Sequence, residues 1–526
     1  MASKLIDLSM AADKETGSDS VGIARDQIRG SSLFLLGNVL SLAITFLPHL
    51  MLVRYLSTEA FGHWAYALSL VAIGKTYALG FNEAMSRFVP IYHAKREPSK
   101  ALGSIVVVFA VTLLISGLLI ATFAVASRPI LALLTKGKEP AGLLLVLMFL
   151  VPLETTDLLI MNLFACFARA REIFWGRYII SPGLRAIVIG LVVFRHLDLR
   201  FLAYGYLSVE LITILPFGTL VVCELRRQTL LQNLRCIKLP VREIFGFSAP
   251  LMASNVIGMI GGSIPVLLLA YFHPMTTVAF YRVVLPAAVL SGMIPGNFMP
   301  LYIPSASRLF AKGDTSGINH LFWETSLWMS VLAFPIFLAT ACFAQPLTIF
   351  LYGARYAPSA PILAILSLGY FFNVIFAFNG VTLKVLGKIR LMVVLNIVTP
   401  IIIVVFNLLL IPRYGALGAA VATAAGLIMQ NFLRQLGLWR WGGGISFFEK
   451  RYTSFFVVLG SSAVGLYLIQ LFTPNNIYIV LTLALAVSVF VLLLVKKHLK
   501  IADTFPEIAR LPLVGRLLAG GLNDGL

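Results

Sequence analysis

Fourteen apolar stretches, each long enough to cross a bilayer and separated by short polar turns, divide this chain of 526 residues. A helix needs about 20 residues, at a rise of about 1.5 Å each, to traverse about 30 Å of hydrocarbon. The first six stretches cover 33–53, 61–79, 102–126, 143–167, 174–194 and 202–223. The next six cover 244–272, 278–303, 321–343, 362–381, 391–411 and 417–438, and a last pair covers 454–472 and 477–495. Between the sixth and seventh lies the longest polar connection, 224–243, with Arg226, Arg227, Arg235, Lys238 and Arg242. The pattern predicts an all-α polytopic membrane protein of about fourteen transmembrane helices. Its expected parts are a cytoplasmic tail (1–30), a six-helix bundle (31–223), a basic linker (224–243), a second six-helix bundle (244–438), an additional helix pair (439–495) and a second tail (496–526).

A chain that is 59% hydrophobic and 12% charged cannot present a soluble surface. On a soluble protein the net charge of +19 would suggest nucleic-acid binding. Here the basic residues occupy turns, so topology accounts for them and no nucleic-acid partner is expected. Eighteen Lys and Arg fall in the turns on the side of the N-terminus, against eight on the opposite side. The positive-inside rule then predicts both termini and the 224–243 linker to be cytoplasmic. The four cysteines (Cys166, Cys223, Cys236 and Cys342) lack ligand spacing, which points to packed thiols, with no metal and no cofactor expected. The first thirty residues lack the apolar core of a cleavable signal peptide.

The two halves repeat each other in a single register. Ala94, Lys95, Glu97 and Ser99 are matched by Ala311, Lys312, Asp314 and Ser316, and Pro129 by Pro346. An even number of crossings separates the partners, so the repeats share one orientation. They are expected to be related by a pseudo-twofold axis along the membrane normal, an arrangement in which transporters place a central cavity between two bundles.

Charges inside the apolar stretches are the informative residues, because each costs at least about 2.5 kcal/mol at mid-bilayer and is expected to face a partner or a watery cavity. Lys75, Glu154, Asp157 and Arg185 fall toward the middle of their spans, and Glu210 lies somewhat shallower. Two roles fit them. They can line a polar cavity, with Lys75 and Arg185 as substrate-binding cations and Glu154, Asp157 and Glu210 as ion-coupling carboxylates; or the opposite charges can pair and lock the first bundle. In the second half Arg282 is the main candidate, since a guanidinium can hold pyrophosphate or carboxylate oxygens in a bidentate way, with snorkelling to the interface as the alternative.

Glu83 and Arg87, four residues apart, read as a helical ion pair. Gly258, Gly261 and Gly262 suggest close helix contact or a hinge. Pro286, Pro295, Pro300 and Pro304 predict a bend in the eighth span. Asn255, Asn297, Asn373 and Asn379 suit either sugars or helix-to-helix hydrogen bonds.

Several short motifs carry a family resemblance. Leu52-Val-Arg-Tyr-Leu-Ser-Thr-Glu-Ala-Phe-Gly62 forms the first turn, Phe247-Ser-Ala-Pro250 opens the seventh span and Ala279-Phe-Tyr-Arg282 opens the eighth. Leu351-Tyr-Gly353-Ala-Arg-Tyr356 follows the ninth, and Asn407-Leu-Leu-Leu-Ile-Pro412-Arg-Tyr-Gly415-Ala-Leu-Gly418 leads into the twelfth. In order and position these resemble the bacterial polysaccharide-repeat-unit flippases (Wzx/RfbX type) of the multidrug/oligosaccharidyl-lipid/polysaccharide exporter superfamily. The resemblance implies an inner-membrane flippase, not an enzyme, whose substrate is an undecaprenyl-pyrophosphate-linked oligosaccharide and whose partners are the bilayer and other polysaccharide assembly proteins. It further implies a cavity lined by helices one, two, seven and eight. Many members carry an acidic residue late in span seven, where this chain has Ser263-Ile-Pro265. That departure leaves Glu154, Asp157 and Glu210 as the acidic candidates. A peptidoglycan-precursor flippase or a drug exporter of the same superfamily would share the plan. A membrane glycosyltransferase or polymerase would be expected to show a large outer loop or soluble domain.

The orientation is tested by cysteine labelling of intact spheroplasts. A membrane-impermeant thiol reagent is expected to leave single cysteines placed at Arg227 or Arg242 unmodified until the cells are opened; labelling from outside would invert the topology.

Overall fold

The computed structural model describes residues 40–135, 141–231, 237–442, 444–470 and 482–491, with Gly37 and Ile479. Arg235 and Cys236 of the linker and the two expected tails lie outside the described residues. The described residues are helical throughout and contain no strand. In chain order the first helices are α1 (Leu40–Tyr55), α2 (Thr58–Gly74), α3 (Thr76–Ala94), α4 (Pro98–Thr135), α5 (Ala141–Met148) and α6 (Leu150–Cys166). A short α7 (Ala170–Ile173) runs through a π turn into α8 (Ser181–Phe194), followed by α9 (Leu199–Arg227). Next come α10 (Val241–Phe272), α11 (Met275–Val289), α12 (Ile294–Ala311), α13 (Thr315–Phe337), α14 (Ala344–Tyr352), α15 (Ala360–Ile375) and α16 (Asn379–Val385). The last are α17 (Ile389–Trp441), α18 (Thr453–Gln470) and α19 (Thr482–Val491).

Among the described residues eight helical stretches are long and apolar enough to cross a membrane, with shorter apolar helices at Leu40–Tyr55, Gly262–Phe272, Thr453–Leu468 and Thr482–Val491. These lengths establish a polytopic helical membrane protein without fixing the count at fourteen. One helix, α17, takes in two of the expected spans. It turns at Gly415, whose φ of 56° and ψ of −132° lie outside the helical region and cost a residue without Cβ least. Its two arms then run antiparallel: Arg434 donates to Asn396 at 3.1 Å, and a Cβ on Gly426 would stand 2.3 Å from Ile403.

The repeat extends to the helix boundaries. In the register that sets Ala94 on Ala311, the starts of α2 and α4 fall on the starts of α11 and α13, and the end of α3 falls on the end of α12. The start of α9 falls just beyond the turn at Gly415. The second span, expected to run unbroken, is interrupted at Lys75 between α2 and α3. The equivalent position in the eighth span, Gly292, sits in a 3-10 turn (Leu290–Met293) between α11 and α12. Here the prolines act as expected: Pro286 and Pro295 bracket the turn and deprive the carbonyls of Arg282 and Ser291 of their usual donors. The polar turns also close as expected for short loops, with Asp198 and Asp314 capping α9 and α13 through backbone donors at 3.0 and 2.7 Å.

The described residues pack as two compact units: the first takes those within 37–55, 70–133 and 141–256, the second those within 56–69, 134–135 and 257–491. In the first, α6 lies against α3 and α9, and α8 against α9. The early part of α10 also belongs to this unit and docks on α3. Phe81 meets Phe245 edge to face at 5.4 Å, Phe88 meets Phe247 at 5.7 Å, and the Tyr92 hydroxyl donates to Glu243. In the second unit α15 packs on α17, α11 and α13, around a core that includes Trp323, Phe322, Phe334 and Phe378. A buried polar seam crosses that apolar packing. Asn431 donates to Asn373 at 2.9 Å, and Asn379 donates to the Asn431 carbonyl at 3.1 Å. Asn373 and Asn379 thus serve helix-to-helix hydrogen bonding.

Small residues permit the closest approaches. Gly62 on α2 faces the start of α11 within the second unit, where a Cβ would sit 2.1 Å from the Met275 carbonyl oxygen. Gly62→Ala is expected to force the two helices apart, to cost about 1–3 kcal/mol and to lower the unfolding temperature in detergent. Gly117→Ala, with nothing within 4 Å of the new Cβ, is the control and is expected to leave that temperature unchanged.

Candidate functional site

Four helical segments of the first unit bring five charged side chains together. Lys75 comes from the break between α2 and α3, Glu154 and Asp157 from α6, Arg185 from α8 and Glu210 from α9. Their sequence spacing explains part of the arrangement: Glu154 and Asp157 are three residues apart and share one face of α6. Lys75 donates to one oxygen of Glu154, while Arg185 donates to the other at 3.0 Å and also to Glu210. The Tyr206 ring lies under the guanidinium at 5.2 Å from its centroid. Glu210 is fully enclosed, with 2% of its side chain exposed, and Glu154 retains 13%, whereas Lys75 retains 39% and forms the open edge.

Both substrate-binding candidates of the first half are therefore partnered by carboxylates. Lys75 and Arg185 neutralise Glu154 and Glu210, and the alternation acid, base, acid, base joins the segments into one chain of ion pairs. Asp157 is the fifth member and has no such partner: its Oδ1 is buried without a hydrogen bond among the described residues, and so is Arg185 Nε. Asp157 feels the opposite charges of Arg185 and Arg177 and the like charges of Glu210 and Glu154, and forms an ion pair with none of them among the described residues.

Arg282 stands apart, on α11 of the second unit, partly buried beside Tyr281 and near Tyr370. Among the described residues it forms no ion pair, whereas its neighbour Tyr281 is engaged with Thr423 at 3.0 Å. The expected Glu83 to Arg87 pair is not formed. Glu83 accepts from Asn255 at 3.4 Å, and the Arg87 guanidinium lies 4.6 Å from the centroid of Phe247. A cation over an aromatic face needs no carboxylate, and the spacing of four residues does not reveal a third helix.

A cavity of about 780 Å³ in the second unit escaped sequence reading. It is bounded by Phe337, Cys342, Leu368, Phe372 and, from α18, Phe456 and Ala463. Its lining is apolar almost throughout, and in a sequence this hydrophobic no local signal separates a cavity wall from ordinary packing.

Removing one member of the paired network strands its partner in a low-dielectric setting, at a cost of about 3–5 kcal/mol for a buried pair. Arg185→Met is expected to lower folded yield and thermal stability sharply. The double variant Arg185→Met with Glu210→Gln is expected to recover part of the loss, read as a coupling energy in a double-mutant cycle. Additive losses would show that the contact is energetically idle.

Comparison with known proteins places this arrangement. A curated capsular polysaccharide biosynthesis protein of Staphylococcus aureus, CapF, is 22% identical over 410 residues, covering 75% of this chain and 94% of that protein. An uncharacterised membrane protein of Methanocaldococcus jannaschii is 23% identical over 418 residues, covering 76% and 81%. Among solved structures, the lipid II flippase MurJ in an inward closed conformation superposes with a TM-score of 0.68 at 13% identity, over 92% of this chain and all of that one. An inward-facing multidrug transporter of the MATE family superposes with a TM-score of 0.61 at 15% identity, over 75% and 93%. The chain thus shares the fold of these transporters. The family model for polysaccharide biosynthesis proteins matches residues 28–310, more than half of the chain, and the chain belongs to that family.

Proposed function

We propose that this protein is a flippase that carries polyprenyl-pyrophosphate-linked oligosaccharide repeat units from the cytoplasmic to the outer leaflet of the inner membrane, by alternating access, for polysaccharide biosynthesis. The family membership and the MurJ-like fold support a lipid-linked saccharide as cargo. Such a head group is too polar to cross hydrocarbon unaided, so a hydrated route must be supplied while the polyprenyl tail stays in an apolar setting. The 780 Å³ apolar cavity is chemically suited to such a tail.

The observation that carries the assignment is Arg282, a partly buried cation on an apolar helix that lacks a counter-charge among the described residues. Pyrophosphate supplies the missing charge, in the bidentate geometry that suits a guanidinium. Lys75, at the open edge of the paired network, is the cation of the first unit that this reading assigns to substrate, and Arg185 holds the carboxylates behind it. Glu154 and Glu210 are engaged, which leaves Asp157 as the carboxylate free to exchange an ion during transport. A peptidoglycan-precursor flippase is the second reading, favoured by the superposition on MurJ over nearly the whole chain. Neighbouring glycosyltransferase genes would support the polysaccharide role, and cell-wall genes the alternative. Both termini and the basic linker face the cytoplasm in this scheme.

Complementation of a strain lacking its repeat-unit flippase tests the assignment. At matched protein levels Arg282→Ala is expected to lower surface polysaccharide by roughly tenfold or more, the worth of about 1.5–3 kcal/mol for a charge-assisted contact. Arg282→Lys is expected to retain a part, and Glu83→Ala most of the activity. Full complementation by Arg282→Ala would remove the pyrophosphate site.

A further inference from the structure

The internal repeat provides a control for a corner of the second unit. In the first repeat, at the corner formed by the turn before α7 and the end of α9, Arg169 is held by the chain's own carboxylates. Arg169 Nε donates to Glu224 at 3.1 Å, Gln228 donates to the same carboxylate at 2.7 Å, and Glu172 lies 3.9 Å from the guanidinium. In the register of the repeat, Arg171, Glu172 and Glu224 become Lys388, Ile389 and Trp441. Both carboxylates have been replaced by apolar side chains. The cations are rearranged and stay at four: Arg169, Arg226 and Arg227 fall on Leu386, Gly443 and Gly444, while Lys384 stands for Phe167, Arg390 for Ile173 and Arg440 for Cys223. All four cations of this corner (Lys384, Lys388, Arg390 and Arg440) are exposed, and among the described residues none forms an ion pair.

Between the loop at Gly387 and Trp441 the structure leaves a pocket of about 480 Å³, with Lys388 and Arg390 on one side and the indole on the other. From its mouth an apolar stripe runs along α17 through Ile389, Val393, Ile397, Ile401 and Val405, each exposed and spaced four residues apart. Positive charge, an exposed tryptophan and an apolar stripe starting at the end of a spanning hairpin coincide where hydrocarbon gives way to water. We propose that this pocket binds the phosphodiester head group of an anionic phospholipid, with the acyl chains laid along the stripe. Topology alone explains basic residues near a membrane face. It does not explain why the carboxylates that hold Arg169 in one repeat give way to apolar side chains in the other, where Lys388 and Arg390 line an open pocket. A free phosphate would satisfy the charge but leave the stripe without a role, whereas a phospholipid meets both.

The full chain in nanodiscs of equal phosphatidylglycerol and phosphatidylcholine tests the site by native mass spectrometry, with quenching of Trp441 by brominated chains as a second readout. Wild type is expected to retain phosphatidylglycerol preferentially. The double variant Lys388→Ala with Arg390→Ala is expected to reduce that preference by roughly tenfold to thirtyfold, from about 1 kcal/mol per interfacial cation. Ile389→Glu restores a carboxylate where the first repeat has one, at the first residue of a helix, where a negative charge is tolerated. It is expected to abolish the preference while the protein elutes and unfolds as wild type does, so it remains decisive if the double variant fails to fold. Equal retention of the two lipids by wild type, or undiminished preference in Ile389→Glu, would overturn the site. Release of the lipid by inorganic phosphate alone would reassign it to a soluble anion. No transport is measured, so failure here leaves the flippase assignment untouched.

Discussion

A charge inside hydrocarbon must find a counter-charge, and the rest of this structure depends on where that charge comes from. In the first repeat it comes from the chain itself. Lys75, Glu154, Arg185 and Glu210 alternate in sign and join segments that hydrophobic packing alone would hold loosely, since lipid tails are as apolar as the side chains they would displace. The second repeat uses none of this. Its equivalent positions are Gly292, Phe371, Ile402 and Leu427, and cohesion passes to aromatic packing, with Phe337 stacked on Phe371 at 4.4 Å, and to the asparagine seam.

The division of labour follows from that difference. A repeat whose charges are internally matched cannot offer them to a ligand without breaking a pair, whereas an unmatched cation is available from the start. Arg282 and the corner at Lys388 are of the second kind, and both lie in the second unit. Asp157 lies beside that network without an ion pair of its own among the described residues, in the fields of Arg185 and Arg177 and of Glu210 and Glu154.

Much of the fold was legible because hydropathy and turn chemistry are one-dimensional signals. The repeat, first visible in Ala94, Lys95 and Pro129, reappears in the boundaries of α2, α3 and α4 against α11, α12 and α13. That Lys75, Glu154, Arg185 and Glu210 would need partners or a watery cavity was legible for the same reason. Their pairing was not, because it depends on the rotation of each helix about its axis, and apolar residues on every face leave that rotation unmarked. Arg87 shows the limit in miniature: a spacing of four offered Glu83, while the tertiary structure offered Phe247. Nor could sequence reveal that α2 after Ser69 and α10 after Val256 change allegiance along their length.

That change of allegiance bears on the break at Lys75. The residue interrupts the helix barely two turns after the point at which α2 passes from the second unit to the first, and its side chain is the outermost link of the ion-pair network. Its backbone, at φ −92° and ψ −2°, holds the α2 to α3 junction away from regular helix. Any bend there must carry the ammonium relative to Glu154, so the angle of the helix and the integrity of the pair are one variable. The equivalent break at Gly292 has the same backbone discontinuity without a side chain to report it. In the proposed alternating-access scheme the ion pair would couple the break in the first repeat to the charges around Glu154, whereas the break at Gly292 carries no side chain through which to be coupled.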